Sequence, residues 1–145
     1  MSKARHKARS RAVQALYQWQ MSGNDIREVE EYFLAEQNMN KTDMEYFSEL
    51  LHEVPKNLSE LDGHISPTLD RPFEEIDPVE KAILRIGTYE LVYRKDVPYR
   101  VVINECVELA KSYGAEEGHK YINSVLDRLA LRLRDAEVNA KRTGK

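Results

Sequence analysis

The stretch DPVEKAILRIGTYEL, residues 77–91, decides the fold. Asp77 can accept hydrogen bonds from the free N–H groups of a starting helix. Pro78 stands where a missing N–H costs nothing and a fixed φ is already helical. Behind that start, Val79, Ala82, Ile83, Ile86, Tyr89 and Leu91 recur at three-and-four spacing, the period of an α-helix. These apolar positions cover more than one side of the helix, so it is predicted to run through the core.

The same period continues on both sides. Downstream, Pro98 precedes Val101, Val102, Ile103, Cys106, Val107, Leu109 and Ala110, a helix stopped by Gly114. A last helix is predicted from about Glu116, carrying Tyr121, Ile122, Val125, Leu126, Leu129 and Leu131, and the polar tail from Asp135 is expected to fray. Upstream, Ala12, Val13, Ala15, Leu16, Tyr17 and Trp19 form a first helix that Gly23 ends. Asn24 or Asp25 can cap a second, striped by Ile26, Val29, Tyr32 and Phe33. Thr42 and Glu45 have capping-box spacing for a third with Met44, Phe47, Leu50 and Leu51. Pro55 should interrupt it, before a short segment with Leu58, Leu61 and Ile65. No alternating run competes, and the fold class is all-α with about six to seven helices.

Composition narrows the function. The chain has 145 residues, 41% hydrophobic and 32% charged, the profile of one globular domain. No apolar run approaches the roughly 18 residues of a membrane span, and no signal peptide is evident. Together with the single cysteine, this leads to the expectation of a cytoplasmic protein with no membrane association. Cys106 and His119, with Asn123 to orient them, could be cast as nucleophile and base, but Cys106 falls on an apolar stripe, the setting of a buried structural thiol. The histidines at 6, 52, 64 and 119 lack metal-ligand spacing. Gly23, Gly63, Gly87, Gly114, Gly118 and Gly144 are too scattered for a phosphate-cradling loop. No catalytic residue, metal or cofactor is expected.

Charge patterning points to a binder. The formal net charge is −3, yet residues 1–22 hold Lys3, Arg5, Lys7, Arg9 and Arg11 and no acid. Residues 23–62 hold eleven acids against three bases, a net −8. A chain so polarised can meet a polyanion with one end while the rest repels it. On a helix, Lys3, Lys7 and Arg11 share one stripe and Arg5 and Arg9 a second, with Ala4, Ala8 and Ala12 between them. Arginine-rich helices bind RNA, and also DNA, membranes and acidic proteins; alanine alone opposite the charges suits a membrane poorly. If about three to five phosphates of single-stranded RNA are neutralised, log K should fall with log salt at a slope of about −2 to −3.5.

The segments AVQALYQWQMS, LDRPFEEIDPVEKAILRIGTYEL and DVPYRVVINECVELAKSYGAEEGHKYINSVLD resemble the NusB family of bacterial transcription antitermination factors, in order and over almost the whole chain. The resemblance implies two small helical bundles side by side, here 1–66 and 67–135 with a polar tail 136–145, and a basic N-terminal helix. It implies a non-enzymatic role: binding the boxA element of nascent ribosomal RNA together with ribosomal protein S-ten (NusE), and joining the RNA polymerase antitermination complex. Family members can self-associate through the partner surface, so a weak homodimer stays open. Residue by residue, it implies RNA contact by Arg5, His6, Lys7 and Arg9, with Glu117 and Tyr121 as a second RNA patch. It implies that Tyr17, Met21, Glu74 and Glu80 face the ribosomal protein.

Each assignment has a plainer counterpart. Tyr17 and Tyr121 can be packing residues, and Glu80 can be a helix-start acid. In its first-turn position Glu80 is expected to project outward. Asn104, Leu109, Asn123 and Leu126 are read as structural. The alternative functions are a helical protein-interaction module and an adaptor for ribosomal RNA modification without boxA specificity.

Overall fold

The structure is a computed structural model and describes residues 2–142. Among them are eight α-helices and two 3₁₀ turns: α1 Lys3–Ser22, α2 Ile26–Glu36, α3 Met44–Lys56, α4 Leu58–Ile65, α5 Pro78–Tyr93, α6 Tyr99–Tyr113, α7 Gly118–Leu133 and α8 Asp135–Arg142, with the turns at Ser66–Thr68 and Phe73–Glu75. The all-α class holds. The chain divides into two compact units between Leu58 and Ser59, ahead of the boundary expected between 66 and 67. Long-range bonds explain the shift: Arg85 grips Asp62 through two hydrogen bonds of 2.9 and 2.8 Å, and Arg132 donates to the His64 carbonyl. These tie α4 to the C-terminal helices.

In the first unit, helix ends follow the local chemistry. Ser2 caps α1 by accepting from the Arg5 N–H, and Gly23, at φ +71°, closes it with a bond to the Trp19 carbonyl. Asp25 caps α2. The cap of α3 is Asp43, which accepts from Tyr46 N–H, rather than the expected Thr42; the carboxylate is the stronger acceptor facing the positive helix end. Pro55 stays within α3 instead of interrupting it. The helix ends just beyond, and Asn57 satisfies the Glu53 carbonyl with its side-chain amide at 2.8 Å. Leu16, Phe33, Phe47, Leu50, Leu51 and Val54 form the buried core of this unit, the two phenyl rings stacked at 5.9 Å.

The second unit is organised on α5, which is buried without a break from Ala82 to Leu91. Asp77 caps it by accepting from the N–H groups of Val79 and Glu80, with Pro78 in the first turn. Helices α6 and α7 pack against it through Cys106, Leu109, Ile122, Val125, Leu126 and Leu129. Close approach is possible because position 87 is glycine: a Cβ there would stand 3.0 Å from both Cys106 Sγ and Leu126 Cδ2. The thiol of Cys106 is buried and lies 3.8 Å from the Ile83 carbonyl.

The expectation of a frayed tail is corrected. Residues Asp135–Arg142 form α8, with Val138 buried; the last three residues of the expected tail, including Gly144, lie outside the described residues. The cause is Arg134, which is 4% exposed. Its guanidinium donates to four carbonyls at and beyond the end of α5: Leu91 at 2.7 Å, Glu90 at 3.1 Å, Arg94 at 3.0 Å and Val97 at 3.1 Å. Glu137 neutralises it at 2.6 Å, and its other oxygen accepts from the Tyr99 N–H that opens α6. One ion pair thus serves the end of one helix and the start of the next, both sites whose backbone groups lack helical partners.

Arg134→Met should preserve much of the aliphatic packing while orphaning those carbonyls. Since an unsatisfied buried acceptor costs about 1–3 kcal/mol, with water recovering part, we expect a loss of about 3 kcal/mol in urea unfolding. A loss below about 1 kcal/mol would mean that water serves these carbonyls equally well.

Candidate nucleic-acid interface

The basic end of α1 is fixed in place, and fixing it engages much of its charge. The Asp43 N–H donates to the Ala4 carbonyl at 3.0 Å, and Lys7 Nζ donates to the Asn40 carbonyl. Arg5 lies over the ring of Tyr46 at 4.3 Å and approaches Asp43 at 3.9 Å. Arg9 lies 5.2 Å from the same ring and is only 1% exposed. Of the four residues assigned to RNA here, Arg5, His6 and Lys7 are partly exposed and Arg9 is buried. The two-stripe expectation therefore needs correction: Arg9 belongs to the packed face with Ala8 and Ala12, where a guanidinium can lie on an aromatic ring and keep its hydrogen bonds. Lys3 is exposed.

The second patch lies at the start of α7. Glu117 is exposed and has a positive φ of +69°, which turns the chain sharply into the helix; its carboxylate pairs with Lys120 at 2.9 Å. The helix begins at Gly118, not at the expected Glu116. Tyr121 is half-buried. Its hydroxyl donates to Asp70 Oδ1 at 3.3 Å, and the Arg71 guanidinium sits 4.6 Å from its ring centre. Arg71 Nε donates to the same Asp70 oxygen at 3.1 Å. That hydrogen bond holds the Asp70 carboxyl below its ordinary range, while burial, followed by the Asp70 charge, pushes the Tyr121 phenol up. No sequence signal marks Asp70 and Arg71 as members of this patch. They lie some fifty positions from Tyr121, and no local spacing links them.

Residues assigned to the ribosomal protein divide between the units. Tyr17 and Met21 are 38% and 58% exposed, so Tyr17 is not a core residue. With Gln14, Gln18, Phe33 and Gln37 they line an open hollow of about 460 Å³. Glu74 is exposed on its 3₁₀ turn. Glu80 departs from the expectation that it projects outward: it is 8% exposed, and a Cβ added at Gly118 would stand 2.5 Å from its Oε2. The missing side chain of Gly118 leaves the space that this carboxylate occupies.

Asn104 and Asn123, read as structural, are exposed and line a second hollow of about 390 Å³ with Arg100 and Asp127, whereas Leu109 and Leu126 are buried as expected. Among the described residues, no group of three His, Cys, Asp or Glu side chains could hold a metal ion, and no helix is long and apolar enough to cross a membrane.

The chain is similar to known proteins along most of its length. The model of the NusB family matches residues 6–131. Transcription antitermination protein NusB of Shewanella halifaxensis is 58% identical, over 90% of this chain and 96% of its own length. Its namesake in Pseudomonas savastanoi pv. phaseolicola is 54% identical, over 96% and 84%. Among solved structures, T. maritima NusB is similar with a TM-score of 0.77 at 30% identity, covering 90% of this chain and 92% of that one. A chain from the crystal structure of antitermination factors NusB and NusE in complex with double-stranded RNA gives 0.78 at 28% identity, covering 89% and 97%.

Burial raises the Glu80 carboxyl above its ordinary value of 4.5, with Asp77 adding to the effect and Arg71 opposing it. A raised carboxyl stabilises the fold in its protonated form. That contribution is full below about pH 4.5 and is lost as pH rises through the folded value. Glu80→Gln keeps the shape without the charge, and should melt above the wild type near neutral pH and level with it near pH 4. Equal melting at neutral pH would mean that the carboxylate is effectively in water.

Proposed function

This chain belongs to the NusB family, and we propose that it binds the boxA element of nascent ribosomal RNA with ribosomal protein S-ten (NusE) and joins the RNA polymerase antitermination complex. It is a transcription antitermination factor, not an enzyme. The observation that carries the finer reading is the likeness, along nearly the whole chain, to a NusB solved with NusE and RNA.

In this reading the two units do different work. The start of α1 supplies attraction: Lys3, Arg5 and Lys7 offer positive charge, with the His6 ring beside them, from a helix whose direction is set by the bonds to Asn40 and Asp43. A rigid mount lets phosphate contacts fix register, which a frayed arm does poorly. Arg9 holds α1 against Tyr46 and acts on RNA only through that support. The α7 start supplies selectivity through Tyr121 and Glu117, an aromatic and an acceptor within one turn, suited to an unstacked base and its amino groups. Tyr17 and Met21, lining a hollow between α1 and α2, and the exposed Glu74 offer the ribosomal protein an apolar anchor and an acid. Glu80 contributes from beneath by its contact with the α7 start.

Titration of labelled boxA RNA, with and without the ribosomal protein, tests the whole reading against a scrambled RNA. With Arg9 withdrawn, about two to four phosphates are neutralised, giving a slope of about −1.5 to −3 in log K against log salt. Lys3→Ala with Arg5→Ala should flatten that slope by about 1.4, since each phosphate lost contributes about 0.7. Arg9→Met should lower the melting temperature and leave the slope of the folded protein unchanged. Salt-independent binding, or equal affinity for scrambled RNA, would leave only a helical interaction module.

A further inference from the structure

We propose that Arg71 is itself a base-contacting residue, its guanidinium forming the outer surface of a composite platform that Tyr121 backs and Asp70 holds in place. The inference rests on the reading that the α7 start contacts RNA, and adds a residue which that reading lacks.

The geometry leaves little alternative for a base approaching this face. With Arg71 Cζ 4.6 Å from the ring centre, the guanidinium already covers one face of Tyr121. A base cannot stack there without expelling it. Asp70 Oδ1 accepts from both Arg71 Nε and the Tyr121 hydroxyl, at 3.1 and 3.3 Å, so one oxygen fixes both groups. Expelling the guanidinium would break a charge-assisted bond and a cation–π contact together.

The outer side of the pair is suited to a ligand. The side chains of Arg71 and Asp70 are 49% and 68% exposed, so the guanidinium meets solvent while its inner face meets the ring. A guanidinium is planar, delocalised and weakly hydrated, and bases stack on it as they do on aromatic rings. Only Nε is engaged with Asp70, which leaves the η amino groups to donate to a base carbonyl or a phosphate. Pro72 follows directly and confines the Arg71 backbone to extended conformations, so the side chain starts from a restricted position. A lysine could supply the charge here but not the plane.

That difference makes the test. Full-length wild type, Arg71→Lys, Arg71→Ala and Tyr121→Ala are titrated with boxA RNA carrying 2-aminopurine at single positions, and with scrambled RNA, over a range of salt. The exposed position of Arg71 keeps its variants folded, which melting curves check. In the wild type one 2-aminopurine position should be quenched by stacking. Arg71→Lys should lose that quench and about tenfold of the preference for boxA, with the salt slope intact. Arg71→Ala should lose the same preference and flatten the slope by about 0.7. Full preference and quench in Arg71→Lys would overturn the proposal in favour of a point charge, and full preference in Arg71→Ala would remove any contact. If the wild type does not distinguish boxA from scrambled RNA, the RNA reading falls first and this proposal with it. If the wild type does distinguish them and Tyr121→Ala does too, the composite platform and the selectivity assigned to Tyr121 fall together, while boxA binding by the chain stands.

Discussion

A helix that is buried almost to its end must still satisfy its last carbonyls, and in the second unit that requirement is met by Arg134. The guanidinium reaches four backbone oxygens at the close of α5, and Glu137 carries the opposite charge onward to the first N–H of α6. Five donors in a fixed fork suit this task, whereas the three donors of an ammonium would leave carbonyls unserved. Because α5 is the axis against which α6 and α7 pack, the position of the α7 start, and hence of Tyr121 and Glu117, depends on an interaction made beyond the opposite end of α7.

A second balance, between charge and order, runs through both candidate RNA patches. A cation presented to a phosphate acts best when unpaired, yet an unpaired arginine on a flexible arm loses conformational entropy when it binds. Here Arg5 and Arg71 follow the same compromise. Each guanidinium lies on a tyrosine ring and faces an aspartate, Tyr46 with Asp43 in one unit and Tyr121 with Asp70 in the other. The aromatic ring orients the cation without neutralising it. The aspartate lowers its net field but reduces the ordering still to be done on binding.

Much of this fold is legible in the sequence because its signals are local. Asp77-Pro78, Gly23 and the apolar period of α5 act within one or two helical turns, and each marks its element correctly. Legibility fails where the deciding partner is distant. Nothing near Asp135 announces that Arg134 will find the end of α5, so the segment reads as a polar tail. Nothing near Arg9 announces Tyr46, so Arg9 reads as one more surface cation. Glu80 carries every mark of an exposed helix-start acid, and only the absent side chain of Gly118, far along the chain, lets it turn inward. At the candidate site the sequence offers residue types but neither their exposure nor the distant partners Asp70 and Arg71 that meet Tyr121.

The close crossing at Gly87 has a consequence for observing this molecule at work. Cys106 is the only cysteine of the chain, and its sulfur is sealed where α5 approaches α6 and α7. A thiol reagent can reach it only when those helices part, so the rate of alkylation under native conditions follows the population of the opened second unit. The first unit contributes no thiol to that signal. The protein therefore carries an internal clock for one of its halves, readable by mass spectrometry without any introduced label, and able to register whether an RNA or protein ligand holds those helices shut.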